Sequence, residues 1–422
     1  MTGLIILDRT RHLRNINILQ IKLRRMKNLI MMRSLYRINS NILTKHSQPH
    51  QSGKTLTGFR CIHQQHVSSA ESRTKMSAWQ IHSYGGNDQL TLSATNRIPT
   101  IKNPNDILVE VHAASINPID IRMRDGYGQK ILNIMRNQGL INTRSEFPLT
   151  LGRDFSGIVV ESGRNVKKYK PGDEVYGVLG PQRQGSHAQY TVSSEREMAH
   201  KPNHLSHVEA ASIPYVALTN WSAIYTAGRL TDQLYSHKGF GTLSLCLMDL
   251  SLAWGGEIVT TCSGDASEQL LQLGADYTID YKQQDVLTEL NKLPRFDFIL
   301  DPLGGDKGEQ YSQFLKSWQN AKFVSIAPPF LKNFDNFGLL PGLVKNIGDL
   351  GCSALKGAKD GKLIRWAVFA PSKQGLKTTT DLIISRQIHP VVEKVFEFED
   401  LPSAYEKIES GHSRGKTVIK MK

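Results

Sequence analysis

The chain has 422 residues, of which 39% are hydrophobic and 21% are charged, and no stretch of 18 or more residues is wholly apolar. This length suffices for two ordinary domains, and the composition excludes a helix long and apolar enough to span a membrane. A disulfide framework or a structural zinc cluster is also excluded, because the cysteines show no CxxC spacing. We expect buried thiols in a reducing compartment at Cys61, Cys246, Cys262 and Cys352.

The net charge of +14 is concentrated at the N-terminus. Residues 1–75 carry 14 Lys or Arg against two acidic residues, Asp8 and Glu71, and the rest of the chain is almost neutral. An Arg-rich, Ser-containing and acid-poor segment is typical of a mitochondrial transit peptide. A nucleic-acid-binding arm, or sequence upstream of a true start at Met31 or Met32, would have the same composition. We interpret residues 1–75 as a targeting segment and exclude them from the fold. Because nucleic-acid binding would depend on this basic segment alone, we expect no nucleic-acid partner once it is cleaved.

The next part of the chain predicts a β-rich domain. Residues 76–86 and 106–117 are predicted strands, and Ile107, Val109 and Val111 alternate with other residues in the second of them. Asn117-Pro118 predicts a turn ahead of a short helix. The glycine-punctuated segments that follow, up to residue 195, indicate many short strands and a barrel-like domain.

From residue 206 the pattern changes to alternating helices and strands. Ser206 and Glu209 have the spacing of a helix-capping box, and apolar residues mark one side of the helical segments that follow, at Ala210, Ile213, Ala217 and Trp221. Further strands are predicted in "GEIVTTCS", "YTIDY", "RFDFILD" and at 323–327, with helical segments between them. This alternation predicts an α/β, doubly wound parallel sheet, which binds ligands at the carboxyl ends of its strands.

The stretch 233–254 interrupts this pattern. A dinucleotide-binding unit begins with a buried strand and glycines that approach the pyrophosphate at the start of a helix. Here Gly239, Gly241 and Thr242 follow a short polar segment, and the usual third glycine is absent. Either the chain has lost its first nucleotide-binding strand, or a splicing error has altered the translated sequence. With this sequence at 233–254, we expect the chain to bind a dinucleotide cofactor poorly.

Several motifs in order carry a family resemblance: "SINPIDIRMRDGYG", "LGRDFSGIVVESGRNVKKYKPGDEVYG", "GSHAQY", "FDFILDPLGG", "KLIRWAVFA" and "SGHSRGKTVI". From residue 76 to 422 the chain resembles the medium-chain dehydrogenase/reductase superfamily in its quinone-oxidoreductase branch. Within that branch it is most similar to the mitochondrial reticulon-interacting oxidoreductases. The resemblance implies a GroES-like catalytic domain at 76–213, a Rossmann-type nucleotide-binding domain at 214–370 and a return to the catalytic domain at 371–422.

The resemblance also implies NAD(P)H-dependent reduction of a quinone or enone, in mitochondrial ubiquinone metabolism. The cofactor supplies the hydride, and the protein supplies an apolar cleft and donors to the developing oxyanion. Asn117 and Tyr127 would line this cleft as catalytic-site residues, although Asn117 serves equally well as a turn residue before Pro118. Zinc enzymes of the superfamily need Cys or His at Asn117 and Gly-His-Glu at 152–154, so no metal is expected.

Cofactor-binding residues are expected at the strand ends and in the C-terminal turn. Ser263 ends a strand where NAD-selective sites place Asp or Glu, so a hydroxyl there favours NADPH, unless Ser263 only caps the next helix. Tyr281 and Lys282 follow the neighbouring strand, and the lysine would add positive charge. The resemblance adds the turn at His412, Ser413 and Arg414, where arginine suits a phosphate; a solvated turn is the alternative.

Two further expectations concern partners and activity. The resemblance implies a reticulon-type membrane protein partner, a homodimer, and residence in the mitochondrial matrix or at its membrane, with no membrane span in the chain itself. The altered stretch at 233–254 raises an alternative function: a catalytically impaired pseudo-oxidoreductase that acts as a binding or scaffold protein.

Overall fold

Strands form where β-branched and aromatic residues run between glycine and proline turns. The computed structural model of the chain describes residues 5–7, by their backbone only, and residues 74–137, 145–229, 258–273, 275–411 and 413–422. Its strands, in chain order, are β1 Ile5–Leu7, β2 Lys75–Ile81, β3 Thr91–Arg97, β4 Asp106–Ile116, β5 Leu149–Thr150, β6 Asp154–Ser162, β7 Glu174–Val178, β8 Tyr190–Ser194, β9 Met198–His200, β10 Val259–Cys262, β11 Tyr277–Asp280, β12 Phe298–Asp301, β13 Lys322–Ser325, β14 Leu363–Trp366, β15 Val392–Glu397 and β16 Lys416–Lys420.

Two of the helices begin where the sequence predicts, after Asn117 and after Ser206. In chain order the helices are α1 Pro118–Arg124, α2 Gln129–Asn137, α3 His207–Ala211, α4 Pro214–Trp221, α5 Ser267–Gln272, α6 Val286–Asn291, α7 Gly305–Glu309, α8 Phe330–Phe337, α9 Leu339–Ala358, α10 Lys373–Ile384 and α11 Leu401–Glu409. The capping box predicted at Ser206 and Glu209 is confirmed, because the Glu209 amide donates to Ser206 Oγ at 3.2 Å and the Ser206 amide donates to Glu209 Oε2 at 2.8 Å.

The β-rich domain contains two sheets among the described residues. The larger sheet has the order β15-β16-β4-β6-β7-β9, with β8 also paired to β4, and the smaller has the order β3-β2-β5. The predicted strand at Ile107, Val109 and Val111 is confirmed as β4, whose three residues are all 0–1% exposed. Antiparallel pairing dominates this sheet, and only β15 and β16 run parallel.

The second domain contains the predicted parallel sheet. Its order is β11-β10-β1-β12-β13-β14, with β10 parallel to β11 and with β12, β13 and β14 parallel to one another. Phe298, Ile299 and Leu300 of β12 are no more than 1% exposed. Burial on both faces accounts for the continuously apolar sequence of this strand, since helices cover the faces of a parallel sheet. An α/β fold with a β-rich and a parallel-sheet domain is therefore confirmed.

One strand of the parallel sheet comes from the N-terminus. Ile5–Leu7 lies between β10 and β12 and is antiparallel to both. In a doubly wound sheet this central position belongs to the first strand of the nucleotide-binding unit, which leads into the glycine-rich loop. The arrangement differs from our expectation that residues 1–75 take no part in the fold.

The two domains touch beside the loop that the family places on the substrate side. The carboxylate of Asp335 on α8 accepts from the backbone amide of Gly128 at 2.6 Å and from that of Lys130 at 3.2 Å. This contact ties the nucleotide-binding domain to the end of the "NPIDIRMRDGYG" segment. The loop containing Tyr127 is therefore held from both sides of the domain boundary.

Candidate cofactor and substrate site

The carboxyl ends of β10 and β11 bring separate parts of the sequence together. Cys262 at the end of β10 pairs with Asp280 at the end of β11, and the Tyr281 amide donates to the Cys262 carbonyl oxygen at 3.0 Å. Ser263 follows β10 directly and is 2% exposed. Because parallel strands end at one edge of a sheet, Ser263, Tyr281 and Lys282 lie at the same edge.

Arg414 reaches this edge from the C-terminal segment. Its Nη2 donates to Ser263 Oγ at 3.2 Å and makes a short ion pair with the carboxylate of Asp265. Its backbone amide donates to Glu393 Oε2 at 2.7 Å, which fixes the turn on the catalytic domain. Ser263 and Arg414 were each predicted to bind the cofactor. They are 151 positions apart in the sequence, and the structure brings them into contact.

Asp265 also lies at this edge, beside Ser263 and Arg414, although its sequence position alone did not predict a place in the site. Hydrogen bonding from Ser263, and then from Arg414, lowers the pKa of its carboxyl group to about 2. The group is therefore ionised throughout the physiological range. The signal for it was the residue type alone, since an acid a few residues after the end of a strand is common at a helix start.

Tyr281 and Lys282 are exposed in the turn after β11. Tyr281 is 38% exposed, and the Lys282 amide donates to Asp280 Oδ1 at 3.0 Å. Ser413 is half-buried next to Arg414. Tyr281 and Lys282 follow β11, which pairs with β10, and Ser413 directly precedes Arg414. Their role in cofactor binding stays a prediction.

The remaining predicted cofactor residues cannot be placed. Gly239, Gly241, Thr242 and His412 lie outside the described residues. The prediction of a degenerate glycine-rich loop therefore stands as a statement about sequence alone.

A buried polar network occupies the start of α1. Asp154 Oδ2 accepts from Ser115 Oγ at 2.6 Å, from Asn117 Nδ2 at 2.9 Å and from Lys416 Nζ at 3.3 Å. Lys416 Nζ also donates to Asn117 Oδ1 at 2.6 Å. The other carboxylate oxygen of Asp154 accepts from the Tyr215 amide at 2.6 Å. The network links β4, β6, α4 and β16.

Asn117 belongs to this network, and two roles were predicted for it: a turn residue before Pro118 and a residue of the substrate cleft. It caps α1, and its backbone amide donates to Asp120 Oδ2 at 2.8 Å. Its side chain is 1% exposed, and both ends of its amide are bonded to Asp154 and Lys416. The turn role is therefore confirmed, and its place in the substrate cleft stays a prediction.

A buried ion pair between Arg153 and Asp120 lies next to Asn117. Arg153 Nε is 3.9 Å from Asp120 Oδ1, and both residues are no more than 1% exposed. Burial raises the pKa of the Asp120 carboxyl group to about 6, although the Arg153 charge opposes this shift. Among the described residues, Asp120 Oδ1 and two nitrogen atoms of Arg153 have no hydrogen-bond partner. This is the place where the site has unused polar groups.

Tyr127 lies between this region and α8. It is half-buried, and the Arg122 guanidinium stands 5.9 Å from its ring centroid. Burial raises the pKa of its phenol, so it stays neutral at physiological pH. A neutral phenol can donate one hydrogen bond, which suits a carbonyl group of a substrate.

The polar residues near Asn117 do not form a metal site. Within the described ranges, no group of three or more His, Cys, Asp or Glu side chains could hold a metal ion. At the position where zinc enzymes need ligands, the ammonium group of Lys416 lies against Asn117 and Asp154. No helix in the described part of the chain is long and apolar enough to cross a membrane.

Comparison with known families identifies the class. The "Alcohol dehydrogenase GroES-like domain" profile matches residues 103–203, and the "Zinc-binding dehydrogenase" profile matches residues 273–419. The quinone oxidoreductase from Coxiella burnetii superimposes with a TM-score of 0.65 at 26% identity, covering 82% of this chain and 100% of its own. The chain is a medium-chain dehydrogenase/reductase with a GroES-like domain and a nucleotide-binding domain.

Sequence relatives narrow the class to one family. The mitochondrial NAD(P)H oxidoreductase RTN4IP1 of zebrafish is 42% identical over 368 residues, which are 86% of this chain and 95% of the relative. The human protein of that name is 43% identical over 364 residues, 84% of this chain and 91% of its own. The chain belongs to the RTN4IP1 family of NAD(P)H oxidoreductases. The 2-methylene-furan-3-one reductase of tomato is 28% identical over 86% of each chain.

Proposed function

We propose that the chain is an NADPH-dependent oxidoreductase that reduces a quinone or enone-type carbonyl without zinc. The observation that carries the proposal is the contact of Arg414 Nη2 with Ser263 Oγ at 3.2 Å, at the carboxyl edge of the parallel sheet. An arginine fork and a hydroxyl at this position suit the 2′-phosphate of NADPH. The exposed Lys282 in the neighbouring turn adds positive charge.

The substrate class follows from relatives and from the chemistry of the cleft. One structural neighbour is named a quinone oxidoreductase and one relative is named a furanone reductase, so conjugated carbonyl groups are common to both. Bound NADPH would supply the hydride. The chain would supply the neutral phenol of Tyr127 as a donor, and Asn117 would be held in place by Asp154 and Lys416.

A contact in the site supports the proposal of a reaction without zinc. Lys416 Nζ donates to Asn117 Oδ1 and Asp154 Oδ2, so a cation already neutralises the Asp154 carboxylate. Asn117 is a poor ligand for Zn²⁺ beside the Cys, His and carboxylate groups that zinc prefers. We therefore assign the network the role of orienting α1 and the substrate loop that follows it.

The cellular setting is proposed from the relatives' names and from the N-terminal composition. Relatives from zebrafish, mouse and human are named mitochondrial, and the nematode relative is named reticulon-4-interacting. Together with the Arg-rich N-terminus, these names support residence in mitochondria, at the matrix or its membrane. A role in ubiquinone metabolism, a reticulon-type partner and a homodimer belong to the same proposal.

A test of this function changes the residue that carries it. Arg414→Met in the full chain should weaken NADPH binding about 10- to 100-fold, because a charge-assisted contact with phosphate contributes roughly 1.5–3 kcal/mol. NADH binding should change less than about threefold. Arg196→Met, which removes an exposed arginine between β8 and β9, is the matched control. Equal losses for both cofactors would overturn the assignment of Arg414 to the 2′-phosphate.

One observation favours the second candidate function, a catalytically impaired binding or scaffold protein. The antiparallel strand β1 fills the position from which a parallel strand would lead to the glycine-rich loop. Its carboxyl end therefore lies at the opposite edge of the sheet. Failure of the wild-type chain to bind either cofactor at millimolar concentration would favour this candidate.

A further inference from the structure

Asp265 places a negative charge within the proposed phosphate site. Its carboxylate makes an ion pair with Arg414, and Arg414 Nη2 also donates to Ser263 Oγ at 3.2 Å. The Asp265 side chain is 62% exposed, whereas that of Arg414 is 22% exposed. The guanidinium group of Arg414 would donate to an anion that approaches from solvent, but the Asp265 carboxylate already occupies that group.

Arg414 is positioned before any phosphate arrives. Its backbone amide is bonded to Glu393 Oε2 at 2.7 Å, and its carbonyl oxygen accepts from Gln269 Nε2 at 3.5 Å. The Asp265 carboxylate then holds the guanidinium group against Ser263. A carboxylate carries one charge and a phosphate nearly two, so a phosphate can replace it at the fork. The displaced carboxylate stays nearby and repels the phosphate.

We propose that Asp265 is an internal competitor for the 2′-phosphate and thereby a residue that determines cofactor specificity. It holds Arg414 in place when the site is free, and it weakens binding of the phosphorylated cofactor. A carboxylate at this edge also accepts a hydrogen bond from an unphosphorylated ribose. Asp265 therefore narrows the preference between NADPH and NADH. This inference rests on the proposed function, because it requires the 2′-phosphate to bind at Arg414.

The test uses two fragments that carry only the adenosine end of the cofactors. Binding of 2′,5′-ADP and of 5′-AMP to the full chain is measured by titration calorimetry, so that hydride transfer does not enter the result. The 5′-phosphate that would meet the glycine-rich stretch is common to both fragments, and their difference reports the 2′-phosphate. Asp265→Asn should tighten 2′,5′-ADP binding roughly tenfold, since the amide keeps the shape of the side chain but removes its charge. Binding of 5′-AMP should stay equal or weaken.

A matched control separates this effect from general charge. Glu268→Gln removes one exposed negative charge at the start of α5, the helix that follows Asp265, and Glu268 contacts Gln272 rather than Arg414. It should change 2′,5′-ADP binding less than about twofold, because exposed charges are screened. Equal gains in both variants would overturn the specific role of Asp265.

The outcomes distinguish this inference from the proposed function. If the wild-type chain binds 2′,5′-ADP more tightly than 5′-AMP but Asp265→Asn gives no gain, only the role of Asp265 is wrong. If the wild-type chain shows no preference for 2′,5′-ADP, or binds neither fragment, NADPH selectivity at Arg414 fails and the inference fails with it. Unfolding in urea, compared among the variants, verifies that each is folded.

Discussion

At the scale of single residues, His187 shows how burial sets protonation. Its side chain is 0% exposed beside Arg153 and Tyr405, and burial lowers the pKa of its imidazole to about 3. The unfolded chain has an imidazole pKa near 6.5. Between these two values the unfolded state binds a proton that the folded state does not. Stability is therefore lost as the pH falls from about 6.5 towards 3.

The prediction is that His187 makes the fold acid-sensitive. Between pH 6.5 and 5.5 the free energy of unfolding of the wild-type chain should fall about 1 kcal/mol more than that of His187→Gln, which does not titrate. Urea unfolding at the two pH values measures this difference. Asp120, whose pKa is raised to about 6, acts in the opposite direction but equally in both proteins. Identical pH dependence of the two proteins would show that His187 does not carry the effect.

Residue types at strand ends could be predicted, but their contacts could not. Ser263 and Arg414 were each assigned to the cofactor, one from its place after a strand and the other from a family motif. That they touch depends on how the C-terminal turn crosses to the other domain. Asp265 and Lys416 were not predicted as site residues for the same reason. Each contacts partners that are distant in the sequence and that only the fold brings near.

At the scale of elements, α9 has its polarity reversed. The residues that face the protein are small or polar, namely Gly342, Asn346, Ser353 and Gly357, and the exposed side carries Leu340, Leu343, Val344, Ile347, Leu350 and Leu355. Asn346 Oδ1 accepts from Asn333 Nδ2 at 2.8 Å, and Asn346 Nδ2 donates to the Phe330 carbonyl oxygen at 3.0 Å. Hydrogen bonds and the close approach of Gly342 to Phe334, rather than the large apolar side chains of α9, therefore hold this helix against α8.

This arrangement predicts an unusual ranking of two neighbouring substitutions. Asn346→Ala should lower the free energy of unfolding by about 1–3 kcal/mol, because it removes two hydrogen bonds between α8 and α9, to Asn333 Nδ2 and to the Phe330 carbonyl oxygen, each contributing roughly 0.5–1.5 kcal/mol. Ile347→Ala should cost less than about 1 kcal/mol, because its side chain is already 64% exposed. Urea unfolding of the full chain compares them. A larger loss for Ile347→Ala would mean that its apolar side is covered in solution.

Elements whose buried residues follow a local sequence pattern were predictable, whereas α9 was not. The strands β4, β10 and β12 and the capped helix α3 follow from alternation, apolar runs and the capping box. In α9 the apolar periodicity is clear, but it marks the side away from the protein, and periodicity alone does not say which side is buried. The sequence could not distinguish a core helix from one that presents an apolar surface.

At the scale of the whole molecule, the N-terminus and the parallel sheet are linked. Ile5–Leu7 pairs with Val259–Thr260 on one side and with Phe298–Leu300 on the other. Among the strands that the structure describes, β1 alone pairs with these edges of β10 and β12. A transit peptide cleaved after residue 9 would remove the strand. The N-terminal segment therefore cannot serve one mature chain both as a cleaved address and as part of the sheet.

The corresponding prediction compares two truncations. A chain that lacks residues 1–9 should be less stable to urea than one that lacks only residues 1–4, by about 2–4 kcal/mol. The shorter chain loses several ladder hydrogen bonds, each contributing roughly 0.5–1.5 kcal/mol. The chain without residues 1–4 is the control, because it keeps Ile5–Leu7. Equal midpoints for the two chains would show that this strand does not support the sheet.

The two-domain plan was predictable over residues 76–422, because its motifs occur in order and its strands and helices alternate. The N-terminal strand was not, because its three residues have no signal apart from a short apolar run within a basic segment. Strand pairing over more than 250 residues of sequence depends on a vacancy in the sheet, and local patterns do not report such a vacancy.

The most direct test of the proposed NADPH site is a titration of the full chain with NADPH and with NADH, following nicotinamide fluorescence. We expect both cofactors to bind, and NADPH to bind about tenfold more tightly, because Arg414 and Ser263 would contact its 2′-phosphate. Tighter binding of NADH, or no binding of either cofactor at millimolar concentration, would contradict the proposal.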